Sequence, residues 1–459
     1  MDKLPCILTI AGSDSGGGAG IQADIKTISM LGGYGASVVT ALTAQNTKAV
    51  TGIHAPSAKF VAQQLRTVLD DIEVSAAKTG MLFSEPIIKA IAPLLSKKTF
   101  PLVVDPVSVA TSGAKLLKDD AVDAMVRLVF PYADLLTPNL PEAELFTKIK
   151  INDREDIFKA ARILLDMGPK AVLIKGGHSD SWAITDWFVV KGASPVPFMQ
   201  QRVYTNCTHG TGCTLSAAIA TGLGQGLEIG AAIKRAQEYL NLALRAGYQL
   251  GEGGGPPNHA IPLAKAHARS GVLNDLDQFG RWLVALPEMF SLLPLGCTNV
   301  AVALPFADDH TEVAGFSGGI VGTRQGNIII AGYPEFGASI KTASTLLAVR
   351  RLIPEIGCAM TIAMKPGMKR ALDMAEVETI WIDRDRKPEY IVDKDGRLEE
   401  WGAFEGVKNH ANSTSVRGVG DPGGMGREPC VRILAEDVLV LQASLTRIVE
   451  SLLSIADGQ

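Results

Sequence analysis

The sequence predicts an α/β protein of two domains, and three observations carry that prediction. Through residues 1–250, short apolar runs alternate with longer amphipathic stretches, the pattern of a mostly parallel sheet with helices on both faces. A Gly- and Pro-rich break at 251–262 interrupts the alternation. Beyond it, from about Ala264, a second and smaller set of strands and helices begins, α/β or α+β in type. The 459 residues are 47% hydrophobic and 20% charged, which suits two or three domains with buried cores and excludes a disordered or coiled-coil protein.

Taken in order, the apolar runs of the first half include 6–11, 102–105, 135–137 and 171–175. Each is short and gives way to Gly, Pro, Asp or Lys, so each reads as a strand. Residues 59–71, 85–95, 154–167 and 214–223 carry helical patterns. The break at 251–262 cannot continue a helix and reads as a chain end or linker. In the second half, 273–286, 343–352 and 438–453 read as helices, and 299–304 and 327–331 as strands. The expected domains are 1–262 and 275–455, joined by a linker and lead-in helix over 263–274. Trp182 and Trp187, in SWAITDW, read as hairpin core residues.

The 44 basic and 48 acidic residues leave a formal charge of −4, which argues against a general nucleic-acid or membrane-surface binder. The six cysteines are scattered without a CxxC pair and read as reduced cytosolic thiols. The first residues do not read as a signal peptide, and no uninterrupted apolar run approaches 18 residues. A cytoplasmic protein is expected.

Three groups of residues carry chemistry. The first is AGSDSGGGAGIQAD (11–24), a strand-to-helix turn whose glycines allow a ligand close to the backbone, or form a plain tight turn. It fits neither GxGxxG nor the Walker spacing. The second is THGTGC (208–213). Gly210, Thr211 and Gly212 can aim backbone N–H groups at one point where a helix begins, and the dipole there favours an anion. Cys213 falls in the first turn, where a thiol pKa is expected to be lowered from about 8.5. The alternatives are a small buried thiol at a helix start, or a metal held by Cys207, His209 and Cys213, whose spacing is not that of a zinc site. The third is a set of polar residues at strand ends: Asp105, Asn139, Glu142 and Lys175. Ligands of parallel sheets bind at that edge, where carboxylates suit Mg²⁺ and a lysine suits phosphate.

Together these residues resemble the hydroxymethylpyrimidine and phosphomethylpyrimidine kinases of thiamine biosynthesis, a branch of the ribokinase-like superfamily. The likeness covers about 5–262 and rests on AGSDSGGGAGIQADIKT, ALTAQNT, KTGML, VVDPV, TPNLPEAE, IKGGH and THGTGCTLSAAIA, in that order. It implies that Gln45 bonds the aminopyrimidine, with Asp24, Met81 and Val107 lining the same pocket. It implies a metal-associated role for Asn139 and Glu142, with Asp105 beside them. Lys175, Thr211 and Asn139 would face the bound nucleotide, and Gly210 and Gly212 would form the anion hole. Cys213 takes the place of the catalytic Asp of the sugar kinases, which favours a pyrimidine or pyridoxal-type substrate. ATP and Mg²⁺ are the implied cofactors, small molecules the implied partners, and a homodimer the implied assembly.

Residues 275–455 resemble the thiamine-phosphate synthase domain fused to such kinases, through CTNVA (297–301), FGAS (336–339), Asp383-Arg384 and GMGREP (424–429). Catalytic members carry an Arg and a His where this sequence has Gly319 and Ile340, and an Asn-x-Arg pattern where it has Thr361 and Ala363; Lys341 is the nearest basic residue. Glycine and isoleucine neither clamp a pyrophosphate nor donate a proton. An active synthase, a ligand-sensing module and a structural remnant all remain open. His54, His178, His259, His267, His310 and His410 read as ordinary surface or turn residues, and His209 as a residue orienting its loop or a solvated cap.

Overall fold

Strand–helix alternation becomes a nine-stranded sheet in the first of two units, Met1–Leu263 and Ala264–Gln459. The computed structural model describes residues 4–108, 119–176, 183–389, 391, 394–424 and 426–457. His178 and Trp182 lie outside the described residues. The first unit runs β1 (Cys6–Asp14), α1 (Gly20–Met30), β2 (Tyr34–Gln45), β3 (Val50–His54), α2 (Ala58–Asp71), β4 (Val74–Thr79), α3 (Glu85–Leu95), β5 (Leu102–Val104) and α4 (Asp119–Leu128). It continues with β6 (Leu135–Leu136), α5 (Leu140–Thr147), α6 (Arg154–Asp166), β7 (Ala171–Ile174), β8 (Ala183–Val190), β9 (Val196–Gln201), α7 (Thr211–Gly224) and α8 (Ile229–Arg245).

The strand order is β3-β2-β1-β4-β5-β6-β7-β8-β9. Strands β2 to β7 pair in parallel, and β3, β8 and β9 extend the edges antiparallel. β5, β6 and β7 are apolar throughout because both faces are covered. Val61, Leu65, Ile88, Ala124 and Leu164 bring α2, α3, α4 and α6 onto one face. Ile28, Leu215, Ile219 and Ile233 bring α1, α7 and α8 onto the other. Helix starts follow the caps: Ser57 accepts from the Phe60 N–H ahead of α2, and Asp153 from the Asp156 N–H ahead of α6.

The Gly- and Pro-rich stretch lies within the first unit. Cβ atoms on Gly253 and Gly255 would collide with the carbonyls of Thr47 and Tyr248, so only glycine permits that approach. The Gly255 carbonyl accepts from the His209 N–H at 3.0 Å, and the Asn258 N–H donates to the Ala243 carbonyl at 2.8 Å. Its composition reflects close contact, not an open spacer. Residues 263–274, expected as a linker and lead-in helix, lie within α9 (Ile261–Ala285).

His259, read as an ordinary surface or turn residue, is 4% exposed. The Thr214 hydroxyl donates to the Gly210 carbonyl at 2.9 Å, so the His259 Nε2–H donates to Thr214, also at 2.9 Å. Burial, with Lys26 adding to it, lowers His259 from 6.5 to about 4. The neutral ring therefore contributes stability that is whole above pH 6.5 and lost as pH falls toward 4, about 3 kcal/mol at the limit. His259→Gln is expected to flatten that part of the acid destabilisation of the first unit. Denaturation midpoints between pH 7 and 4.5 measure it; the same slope in both proteins would contradict it.

The second unit is α+β. Its strands are β10 (Val300–Ala303), β11 (Val313–Phe316), β12 (Ile320–Gly322), β13 (Ile328–Ile330), β14 (Pro334–Phe336), β15 (Cys358–Ala363), β16 (Thr379–Trp381), β17 (Gly418–Asp421) and β18 (Cys430–Ala435). A seven-stranded sheet ordered β14-β11-β10-β15-β18-β17-β16 is antiparallel except at β16–β17, and β12 and β13 form a separate ribbon. Helices α10 (Ile340–Arg350), α11 (Met368–Met374), α12 (Arg397–Lys408) and α13 (Val438–Asp457) complete it. By length and composition alone, α13 is apolar enough over Val438–Ala456 to span a bilayer. Its Leu441, Leu445, Ile448 and Val449 belong to the core of this unit.

Candidate active site

The carboxyl ends of the parallel strands and the start of α7 line one cavity of about 660 Å³. β5 delivers Asp105 to it, β7 delivers Lys175, β4 delivers Gly80 and Met81, and β1 ends there at Asp14. Helix α7 begins at Thr211 behind Gly210, whose φ is +85° and which makes no side-chain cap. Helix geometry leaves the first-turn N–H groups without intrahelical partners, so the dipole and the donors favour an anion there. Gly212 is so close to the strand ends that a Cβ on it would lie 3.4 Å from Asp105 Oδ2 and 3.5 Å from Lys175 Nζ. Lys175 Nζ donates to Asp105 Oδ1 at 3.0 Å. An ammonium, a helix start and a glycine without a side chain thus converge on one space.

Asn139 and Glu142 also line the cavity, and together they form a complete capping box for α5. Asn139 Oδ1 accepts from the Glu142 N–H at 2.8 Å, Glu142 Oε2 from the Asn139 N–H at 2.9 Å, and Glu142 Oε1 from the Ser108 N–H at 3.2 Å. Burial raises the Glu142 carboxyl above its usual range; Lys175 opposes this and Asp105 adds to it. Among the described residues, no group of three or more His, Cys, Asp or Glu is placed to hold a metal ion. That disposes of the Cys207–His209–Cys213 grouping.

Gln45, Met81 and Val107 line the same cavity as Thr211 and Lys175. Asp24 does not belong with them. It is fully buried on α1, where both carboxylate oxygens accept from Lys78 Nζ at 3.0 and 3.1 Å and one from the Thr9 hydroxyl at 2.6 Å. Burial opposes the charge on Lys78, but Asp24, with Cys213 and Asp105 adding to it, outweighs burial and keeps the ammonium. The helical face of Asp24 turns toward the sheet, away from the ligand space.

Cys213 lines the cavity, yet its thiol is the reverse of the expected one. Burial pushes it up to about 12, although Lys78 pulls the other way. The first turn of a helix lowers a thiol pKa only where the thiolate is also solvated. Sequence reasoning also missed Asp186. It is 3% exposed, lines the cavity, and accepts from the Gly176 N–H at 2.8 Å and from Gln237 Nε2 at 2.6 Å. No pattern in the β8 sequence singles it out.

In the second unit, Gly319 sits at φ +77°, and a Cβ there would collide with Cys297 Sγ. Ile340 is the first residue of α10 and is 47% exposed. The Thr361 hydroxyl pairs with that of Thr342 at 2.9 Å, and Arg384 donates to both Asp421 oxygens at 2.9 Å. The positive φ would strain an arginine at position 319, and Cys297 Sγ occupies the space its Cβ needs.

Comparison with known proteins places these features. Residues 14–258 match the phosphomethylpyrimidine kinase family model, and residues 275–445 match that of thiamine-phosphate synthase ThiN. The thiamine biosynthesis bifunctional protein ThiED of Geobacter sulfurreducens is 50% identical over 256 residues, covering 56% of this chain and 52% of that protein. The hydroxymethylpyrimidine/phosphomethylpyrimidine kinase of Haemophilus influenzae is 44% identical over 263 residues, 56% of this chain and 98% of that kinase. Among solved structures, an ADP complex of Bacillus subtilis pyridoxal kinase superposes with a TM-score of 0.53 at 32% identity, over 56% of this chain and 98% of that one.

Proposed function

The chain belongs to the phosphomethylpyrimidine kinase family through residues 14–258, with a thiamine-phosphate synthase-like domain after it, and from that premise we propose the chemistry of each unit. The first unit is a ribokinase-like phosphotransferase of thiamine biosynthesis. It phosphorylates 4-amino-5-hydroxymethyl-2-methylpyrimidine to the monophosphate and then the diphosphate, with ATP as donor. One observation carries this reading: the α7 start, Lys175 and Gln45 share a single cavity. Gly210, Thr211 and Gly212 hold the transferred phosphoryl through first-turn N–H groups, and Lys175 meets the nucleotide phosphates. Gln45, Met81 and Val107 hold the pyrimidine. Cys213, in its thiolate form, takes the hydroxymethyl proton.

A carboxyl raised mainly by burial, with a second carboxylate adding to it, is one that a cation would keep ionised, so Glu142 and Asp105 suit Mg²⁺. Two carboxylates plus substrate phosphates are the usual Mg²⁺ donors. When bound, the ion would neutralise charge on the phosphoryl oxygens. The same premise carries a homodimer acting on small molecules in the cytoplasm.

The second unit binds thiamine phosphate or its precursors without joining them, a reading supported by Gly319 and Ile340. The full chain with Mg-ATP is therefore expected to convert the hydroxymethylpyrimidine stepwise to its diphosphate, and to form no thiamine phosphate when thiazole phosphate is added. Chromatography of the products checks both. Turnover of pyridoxal alone would overturn the kinase reading, and accumulation of thiamine phosphate would overturn that of the second unit.

A further inference from the structure

Asp14, His209 and Gln45 meet at one wall of the cavity, and their protons must be counted together. His209 Nε2 lies 2.9 Å from Asp14 Oδ2 and 3.2 Å from the Gln45 Nε2. The Asp14 side chain is 3% exposed. Its Oδ2 also accepts from the Gly18 and Ala19 N–H groups at 3.0 and 2.9 Å, and its Oδ1 from the Gly16 N–H at 2.8 Å. Burial opposes ionisation of Asp14, but His209, Gly16 and Ala19 outweigh it and hold the carboxyl below its usual range. A carboxylate so surrounded requires a proton on His209 Nε2, whichever charge the ring carries.

A carboxamide NH₂ beside that nitrogen would set donor against donor. A half-turn of the Gln45 amide, which leaves its shape unchanged, puts the oxygen there instead, where it shares the single Nε2–H with Asp14 Oδ2. The far side of the amide agrees. The Thr43 hydroxyl has one proton and donates it to the Ser13 carbonyl at 3.0 Å. Its oxygen is then left to accept from the Gln45 amide 3.2 Å away.

We propose that His209, held by Asp14, is a positioning residue that fixes the Gln45 amide with oxygen toward His209 and nitrogen toward Thr43, and so selects a 4-aminopyrimidine edge over a 4-oxo edge. The inference rests on the reading above, in which Gln45 bonds the pyrimidine. The fixed amide offers its substrate one lone pair and one N–H in a set order. An aminopyrimidine presents an acceptor ring nitrogen beside a donor amino group. The 4-oxo compound presents a donor N–H beside an acceptor carbonyl and meets the fixed amide donor to donor. An amide free to turn would serve either.

The test measures kcat/KM on the full chain for 4-amino- and 4-oxo-5-hydroxymethyl-2-methylpyrimidine, with ATP KM alongside. The wild type is expected to prefer the amino compound by about 10²-fold or more. His209→Ala should shrink that ratio by about tenfold or more with ATP KM unmoved, because the amide loses the N–H that fixes its oxygen. His209→Gln, which returns an N–H near the Nε2 position, should restore it. Thr43→Val, which frees the other side of the amide, should shrink it as well and carries the test if the alanine variant does not fold. A ratio in His209→Ala or Thr43→Val equal to that of the wild type overturns the proposal, even if both rates fall. So does a wild type that takes both pyrimidines equally. A wild type that accepts neither pyrimidine overturns the kinase reading itself.

Discussion

Gly210→Ala is expected to cut phosphorylation of both pyrimidine substrates by about 10²–10³-fold, the loss typical of one removed oxyanion donor. The residue stands at φ +85°, where an L side chain costs about 1–2 kcal/mol, and its Cβ would collide with the Gly18 carbonyl. Gly210 cannot shift alone. Its carbonyl accepts from both the Thr214 N–H and the Thr214 hydroxyl at 2.9 Å, so any displacement turns the first-turn N–H groups of α7. Gly212→Ala provides the contrast. Its methyl would sit at ordinary contact distance from Asp105 and Lys175, so the fold survives, but it fills the space that the phosphoryl group needs. Melting temperature should drop in the first variant and hold in the second, with turnover lost in both. Near-normal turnover of Gly210→Ala would remove the anion hole from α7.

The second large effect belongs to Cys213→Ala. It is expected to slow the first phosphorylation by about 10²–10⁴-fold and the second by clearly less. A neutral hydroxymethyl group must lose a proton as it attacks, whereas the monophosphate, with a second pKa of about 6, is already ionised. Because burial holds the thiol at about 12, only about 10⁻⁵ of it is thiolate at pH 7. That fraction rises tenfold per pH unit. The wild-type kcat/KM for the first step should therefore climb between pH 7 and 9, the second should not follow it, and Cys213→Ala should abolish the climb. Equal losses on both substrates, or a flat first-step profile, would give the proton to another group.

How far the sequence carries depends on which geometry each residue obeys. Asp105 and Lys175 are legible because the end of a parallel strand has one address, the carboxyl edge of the sheet. Gly210 to Cys213 are legible because a glycine-rich turn into a helix exposes N–H groups wherever the helix lies. Asp24 fails that logic. A residue one turn into a helix faces either the ligand or the sheet, and spacing in the sequence does not distinguish them; its partner Lys78 lies 54 residues away. His259 is hidden for a different reason, since a Gly- and Pro-rich stretch has no periodicity from which burial can be read. For Cys213, the helix start is visible and the desolvation is not, because desolvation depends on how α1, β4 and α7 close around the sulfur.

The folded-back stretch ahead of α9 sets where a neighbouring module can be grafted. A fusion made at Gly251, where the Gly- and Pro-rich stretch begins, would strip His259 from Thr214 and the Gly255 carbonyl from the His209 N–H. Both contacts support the turn that begins α7. A transplant that swaps the second unit must therefore take its border after Leu263, downstream of every residue that braces the catalytic turn from this stretch. In such a chimera the low-complexity glycines travel with the kinase as a brace.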